Sequence, residues 1–209
     1  MKKRGKAKRK FRFPVFSDIF GMKKNLKLLM ISDIFVLSGF GLIGPILAIF
    51  INDNLRGGSI FSAGLASTIF MITHAILQIV LSYKFNPKDR LWMLKVGTAV
   101  IALVPFGYMF STSIYHIYLV EFIFGIGASF AYPSWSSLFT ANLDKGQRGF
   151  QWSVYSSAVG IGTALTAVVG GWLAEKISFQ LVFALTGAIA MLGLFVLFKL
   201  EKKSVLKKT

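Results

Sequence analysis

Along most of this chain, apolar side chains do not alternate with polar ones; they come in long runs, and the charges gather in the gaps. Six runs stand out, roughly Leu28–Ile51, Ile60–Tyr83, Leu91–Phe110, Ile114–Ala141, Trp152–Ala174 and Phe179–Phe198. Each holds about 20 residues or a little more, enough helix to cross ~30 Å of hydrocarbon at about 1.5 Å per residue. The pattern predicts an all-α, polytopic membrane fold with six transmembrane helices over residues 28–199. A basic tail and juxtamembrane segment precede them at 1–27, and a basic tail follows at 200–209. No stretch is left over for a second folded domain.

Composition agrees. Of 209 residues, 55% are hydrophobic and 15% charged, and the mean hydropathy is +0.65, too apolar for an ordinary soluble domain. The net charge of +16 would point to nucleic acid if it covered a soluble surface. Its distribution says otherwise. Lys and Arg number 11 before the first run, 4 at the second gap (Lys84, Lys88, Arg90 and, just inside the third run, Lys95), 2 in the fourth and 5 at the end, against only Arg56 and Lys176 in the alternate gaps. That bias is the positive-inside pattern, and it predicts a multi-pass protein of the cell membrane with both termini cytoplasmic. Anionic lipid is the expected partner of the basic tails; nucleic acid is not expected. Phe11, Phe13, Phe16, Ile19 and Phe20 suggest a short interfacial segment ahead of the first run. That run is too long for a signal-peptide core, so a cleaved leader is not expected.

Chemistry beyond this is sparse. There is no cysteine, and His74 and His116 lack metal-ligand spacing, so neither a metal nor a cofactor is expected. No Ser/His/Asp set and no phosphate-cradling loop is visible, and the chain does not read as an enzyme. The informative residues are the few polar ones inside the runs, because an ionisable group at membrane depth is costly and marks function by default. Asp33 is either a carboxylate near a helix end, reached by water or Lys27, or a proton-carrying group in a cavity. On the second run Ser67, Met71, His74 and Gln78 share a face, suited to interhelical hydrogen bonding or to substrate contact. On the fourth, Glu121, Gly125, Ser129, Tyr132 and Ser136 share a face, with Trp135 beside it. Glu121 is either a coupling or substrate group or a structural partner between helices. The fifth run carries Ser156, Gly160, Thr163, Ala167 and Gly171 on one face, with Gly162 and Gly170 nearby, which reads as close helix packing. The third and sixth runs, with little that is polar beyond Thr98 and Thr186, are expected to face lipid.

A faint repeat links the halves. The first run reads Gly39-Phe40-Gly41 followed by Pro45, and the fourth Gly125-Ile126-Gly127 followed by Pro133. Two three-helix copies of odd length must enter the membrane from opposite sides, the inverted repeat of many transporters.

The stretches FIFGIGASFAYPSWSSLFTANLDKGQRGF, SSAVGIGTALTAVVGGWLAE and LVFALTGAIAMLG resemble helices 4–6 of the N-terminal half of the major facilitator superfamily, and SGFGLIGPILAIFI resembles its helix 1. The resemblance implies secondary active transport by alternating access, often proton-coupled. Helices 1 and 4 would line a cavity, helices 2 and 5 would meet the other half, and helices 3 and 6 would lie outside. The family usually has twelve helices; this chain supplies six. Its loop signature, a Gly-x-x-x-Asp-Arg-x-Gly-Arg type run, is reduced here to YKFNPKDRLWMLK, in which Asp89 and Arg90 remain. Asp144 and Arg148 occupy the next loop on that side. Glu121 stands where the family's Arg-x-x-Gln-Gly pattern has arginine, Phe124 where it has glutamine. The helix-5 Gly-Pro is Thr166-Ala167, with Gly170-Gly171 retained.

The expected function is a half-size transporter of a small solute (drug-like, sugar or metabolite), coupled to protons and working as a homodimer or with a second half-transporter. Tyr132, Trp135, Phe40 and the Asp33 and Glu121 carboxylates would hold the substrate. The competing reading is a non-transporting six-helix anchor whose basic N-terminal tail binds lipid, nucleic acid or a protein.

Overall fold

The computed structural model describes residue 19 and residues 21–85 and 90–200. The basic extremes, most of the interfacial segment and Asp89 lie outside the described residues. Among the described residues seven helices are named in order: α1 (Lys24–Gly41), α2 (Leu47–Asn54), α3 (Ile60–Lys84), α4 (Arg90–Met109), α5 (Ile114–Asn142), α6 (Arg148–Lys176) and α7 (Phe179–Phe198). Among the described residues there is no strand, only an isolated bridge between Arg56 and Ser113. Five helices, α3 to α7, are long and apolar enough to cross a membrane.

The first apolar run is thus not one helix, as its hydropathy predicts, but two. Pro45 has no N–H to give the carbonyl four residues back, and its ring crowds that turn. The chain tightens instead: Leu42 N donates to Gly39 O and Ile43 N to Phe40 O, both at 3.1 Å, before Leu47 N resumes a helical bond to Ile43 O. Helices α3, α5 and α7 each begin at a serine, Ser59, Ser113 and Ser178, whose hydroxyl accepts a backbone N–H of the first turn.

Packing gathers the helices into two trios. Helix α5 lies against α3 and α4, α1 lies against α6 and α7, and α4 meets α7 to join them. One apolar core clusters around Leu29, Trp135 and Phe139. The other surrounds Phe50, Tyr108 and Phe183 near the opposite ends of the helices. Loops tie together in pairs as well. The α2–α3 loop pairs with the α4–α5 loop, Arg56 N donating to Thr112 O at 3.3 Å and Ile114 N to Arg56 O at 3.1 Å. Lys23, just before α1, reaches the α5–α6 loop with an ion pair to Asp144 at 2.5 Å and a bond to Asn142 O at 3.2 Å. Gly57 turns the α2–α3 loop with φ +76°, a backbone glycine adopts without strain.

Hydropathy alone places α4 and α7 outermost, and the packing differs. Helix α4 buries ten residues, Tyr108 among them, whereas α3 buries only Ser62, Ala63 and Ala66 and α6 only Gln151, Tyr155 and Gly170. Apolar side chains are as comfortable against other helices as against lipid tails, so a uniformly greasy helix does not announce which it faces. Both α4 and α7 still turn one apolar face outward, with Val96 and Leu103 on the first and Phe195 and Phe198 on the second.

Candidate functional site

Two intramembrane carboxylates anchor the site, each held by a phenol from a neighbouring helix. On α5, Glu121 is 4% exposed and accepts a 2.8 Å hydrogen bond from the Tyr108 hydroxyl of α4. On α1, Asp33 accepts a hydrogen bond from the Tyr155 hydroxyl of α6. A buried carboxylate without a donor bears the full desolvation cost, and the phenol supplies that donor without adding a second charge. The sequence offered water or Lys27 as partners for Asp33; the partner the structure shows is the Tyr155 hydroxyl. Neither tyrosine stood out in the sequence: Tyr108 closes a run that reads as purely apolar, and Tyr155 sits on a face dominated by small residues.

Between the carboxylates runs a ladder of rings drawn from three helices. Phe40 of α1 stacks on Phe124 of α5 at 5.1 Å, and Phe124 lies 4.4 Å from Phe70 of α3. Phe70 stacks on His74 at 5.9 Å, and His74 meets Tyr132 edge-on at 5.3 Å. Such offset and edge contacts suit the ring quadrupoles. His74 Nε2 and Ser38 Oγ, on the helices of this ladder, are buried without a hydrogen-bond partner. Buried polar atoms are normally satisfied, so these two stand ready for water or a guest. Trp135 is not on the ladder. It is 8% exposed, donates Nε1 to Leu29 O at 3.2 Å, and stacks on Phe139 at 4.5 Å and Tyr155 at 4.7 Å. From there it backs the tyrosine that holds Asp33.

Two cavities adjoin these groups at opposite ends of the helices. One of about 570 Å³ lies between α3 and α5, lined by Gln78, Ile79, Ser82, Tyr132, Pro133 and Ser136. The other, about 120 Å³, is walled by the α1–α2 break and α3, through Gly44, Leu47, Ala48, Ile51, Ala63, Ala66 and Ser67, and Glu121 opens onto it.

The remaining candidates scatter. Asp144 joins a loop network, accepting from Gln151 Nε2 at 2.9 Å while its own N–H donates to Gln151 Oε1 at 2.9 Å; Lys23 and the fully buried Gln151 were not signalled by the sequence. Arg148 is exposed at the start of α6. Arg90, first in α4, donates Nη2 to Ser82 O at 3.4 Å. The four glycines of α6 divide. Gly162 packs on Ser38 and Gly170 on the Leu42 backbone, both in the α1 segment and the break after it, whereas Gly160 and Gly171 have nothing within 4 Å. The close packing read for the fifth run therefore belongs, within this chain, to the face of Gly162 and Gly170. Among the described residues no group of three or more His, Asp or Glu could hold a metal ion.

Comparisons with known proteins converge on one family. The family model described as Major Facilitator Superfamily matches residues 29–209. An uncharacterized MFS-type transporter of Methanocaldococcus jannaschii is 26% identical, over 86% of this chain and 46% of the relative. The multi-drug resistance efflux pump PmrA of Streptococcus pneumoniae is 27% identical, over 82% and 43%. A PmrA homolog of Lactococcus lactis is 24% identical, over 82% and 42%. The chain spans less than half the length of these curated relatives.

Proposed function

Because the chain belongs to the major facilitator superfamily, a family of multi-pass membrane transporters rather than enzymes, we propose that it is one six-crossing unit of a proton-coupled secondary transporter. In this reading both termini are cytoplasmic in the cell membrane, with α1 and α2 together making the first crossing. The loop ties support that topology, because they pair the first gap with the third and the N-terminal approach with the fourth. The observation that carries the function is the pair of phenol-held carboxylates flanking an aromatic ladder. Asp33 and Glu121 carry the protons. Phe40, His74, Gln78 and Tyr132 contact the solute, and Trp135 keeps Tyr155 on Asp33. Rings and unpaired polar atoms suit a drug-like solute better than a sugar, in keeping with the efflux pumps among the relatives.

Alternating access needs a second unit facing this one, either a second copy of the chain or another half-transporter. The exposed apolar faces of α3 (Met71, Ile72, Ile76) and α6 (Ile161, Leu165, Val168), together with the open Gly160 and Gly171, are the seam. Proteoliposomes holding the purified chain should accumulate or expel ethidium when a pH gradient is imposed, and cysteines placed at Met71 and Val168 should crosslink between copies. No gradient-dependent movement of ethidium or of any solute in a drug, sugar and metabolite panel would remove the transport reading. Deleting residues 2–12 tests the rival anchor reading: transport should persist, and its loss with membrane insertion intact would favour an anchor whose tail binds lipid or another partner.

A further inference from the structure

Asp33 and Glu121 stand at matching places in the chain. Asp33 is followed by five residues, Gly39, five more and Pro45; Glu121 is followed by five, Gly127, five more and Pro133. The packing repeats what the spacing suggests. Exchanging the first three apolar segments with the last three turns the α5 contacts with α3 and α4 into the α1 contacts with α6 and α7, and leaves α4 against α7 unchanged.

The equivalence holds at individual residues. A Cβ on Gly39 would meet the Thr186 carbonyl and Ile189 Cγ2 of α7, each at 3.3 Å. A Cβ on Gly127 would meet the Gly97 carbonyl at 3.2 Å and Val100 Cγ1 at 2.8 Å, on α4. In both cases the matching helix offers a carbonyl and the side chain three residues on. The other glycine of each segment sits at a different offset but also seats the remaining neighbour, Gly41 on Thr163 and Thr166 of α6 and Gly125 on Phe70 and Thr73 of α3. Small residues at such crossings are what let backbones approach in lipid.

We infer that Asp33 and Glu121 are symmetry-related proton sites addressed from opposite sides of the membrane, Asp33 from the cytoplasm and Glu121 from outside. The inference rests on the transporter reading above and adds a direction to it. Equal offsets along helices that run in opposite directions put the two groups at opposite depths. A cavity lies at each end: Glu121 lines one directly, and Asp33 meets the other through Tyr132. Tyr132, within electrostatic reach of Asp33, lines the larger cavity beside Gln78 and Ser82 near the last turns of α3. Glu121 lines the smaller one beside Ser67 and Ile51. The titratable neighbours are few. Asp33 faces Tyr155 from α6 and Tyr132 from α5, and beside it Ser32 donates to the Gly193 carbonyl of α7. Glu121 faces Tyr108 from α4, Ser67 from α3 and apolar side chains from α2. Among the described residues neither has an ion-pair partner, so each gains or loses a proton without breaking a salt bridge there.

The native chain has no cysteine, so single-cysteine variants read sidedness without a background. Asp33→Cys, Glu121→Cys, Gln78→Cys and Ser67→Cys, each in the full chain, are exposed to a membrane-impermeant methanethiosulfonate in intact cells and in inside-out vesicles. Glu121→Cys and Ser67→Cys should be modified from outside only, Asp33→Cys and Gln78→Cys from the cytoplasmic side only. If an acid-to-cysteine variant fails to insert, the serine and glutamine positions still report their cavities. Modification of both members from one side, or of neither, overturns the inference. Labelling requires no transport, so its failure is separate from a failure of the ethidium assay.

Discussion

The two acid-bearing stretches, α1–α2 and α5, are built on the same spacing and behave differently at the proline. The first breaks at Pro45, while α5 passes through Pro133 without interruption. The proline is common to both, so its neighbours decide. Before Pro45 stand Gly41 and Gly44, which contribute no side chain to hold the turn. Before Pro133 stand Ser129, whose hydroxyl donates to Ile126 O at 2.6 Å, and Tyr132, braced against His74. The lesson is that a proline in a membrane helix makes a hinge only where its surroundings leave the freed backbone groups room.

Four sets of substitutions would break or sharpen that comparison. The largest effect is expected at the glycine seats. A Cβ at Gly97, under α5, would meet Ala131 N at 2.5 Å and the Gly127 carbonyl at 2.6 Å, all backbone, whereas one at Gly39 would find its nearest atoms at 3.3 Å. Gly97→Ala should therefore cost about 3 kcal/mol or more and Gly39→Ala less than about 1, read as thermal unfolding in detergent micelles. Next comes the hinge. Pro45→Ala should recover part of the ~3 kcal/mol an interior proline costs and slow amide hydrogen exchange over 42–47, while Pro133→Ala should leave exchange in α5 nearly unchanged. Equal slowing at both sites would mean that the two prolines do not differ.

The carboxylate pairs come third. Tyr108→Phe strands a buried Glu121 and should cost about 1–3 kcal/mol; Tyr155→Phe, beside the less buried Asp33, should cost less in the same melt. The smallest effect belongs to Lys23→Ala, because its ion pair with Asp144 is 40% and 38% exposed at the two side chains. It should change stability by less than about 1 kcal/mol and weaken further in salt.

Much of the fold could be read before any coordinates. Runs of apolar residues located α3, α4, α5 and α7 to within a residue and α6 to within four, because bilayer thickness imposes a length that hydropathy reports directly. Gly39, Gly41 and Pro45 were visible as half of a repeat, but that spacing does not say that the first run parts into two helices. Partners were harder to foresee. Tyr108 and Tyr155 look, in a sequence, like interfacial or packing aromatics, and only the crossings of α4 with α5 and of α6 with α1 aim their hydroxyls at the carboxylates. The seat of α6 was also obscure: glycines at 160, 162, 170 and 171 offer more than one small-residue face, and spacing does not say which one a neighbour takes. Lys23 was invisible for a related reason, since a contact with a loop more than a hundred residues away leaves no local pattern, and Gln151, though near Asp144 in the chain, reads as one more polar residue of the link.

The account depends most on Asp33 and Glu121 carrying protons, and the direct test compares them with their neutral isosteres. Ethidium movement driven by an imposed pH gradient is measured in proteoliposomes containing the native chain, Asp33→Asn or Glu121→Gln, each at equal reconstitution. Gradient-driven movement in the native chain and its loss in both variants is the predicted result. Native rates in both variants would contradict it.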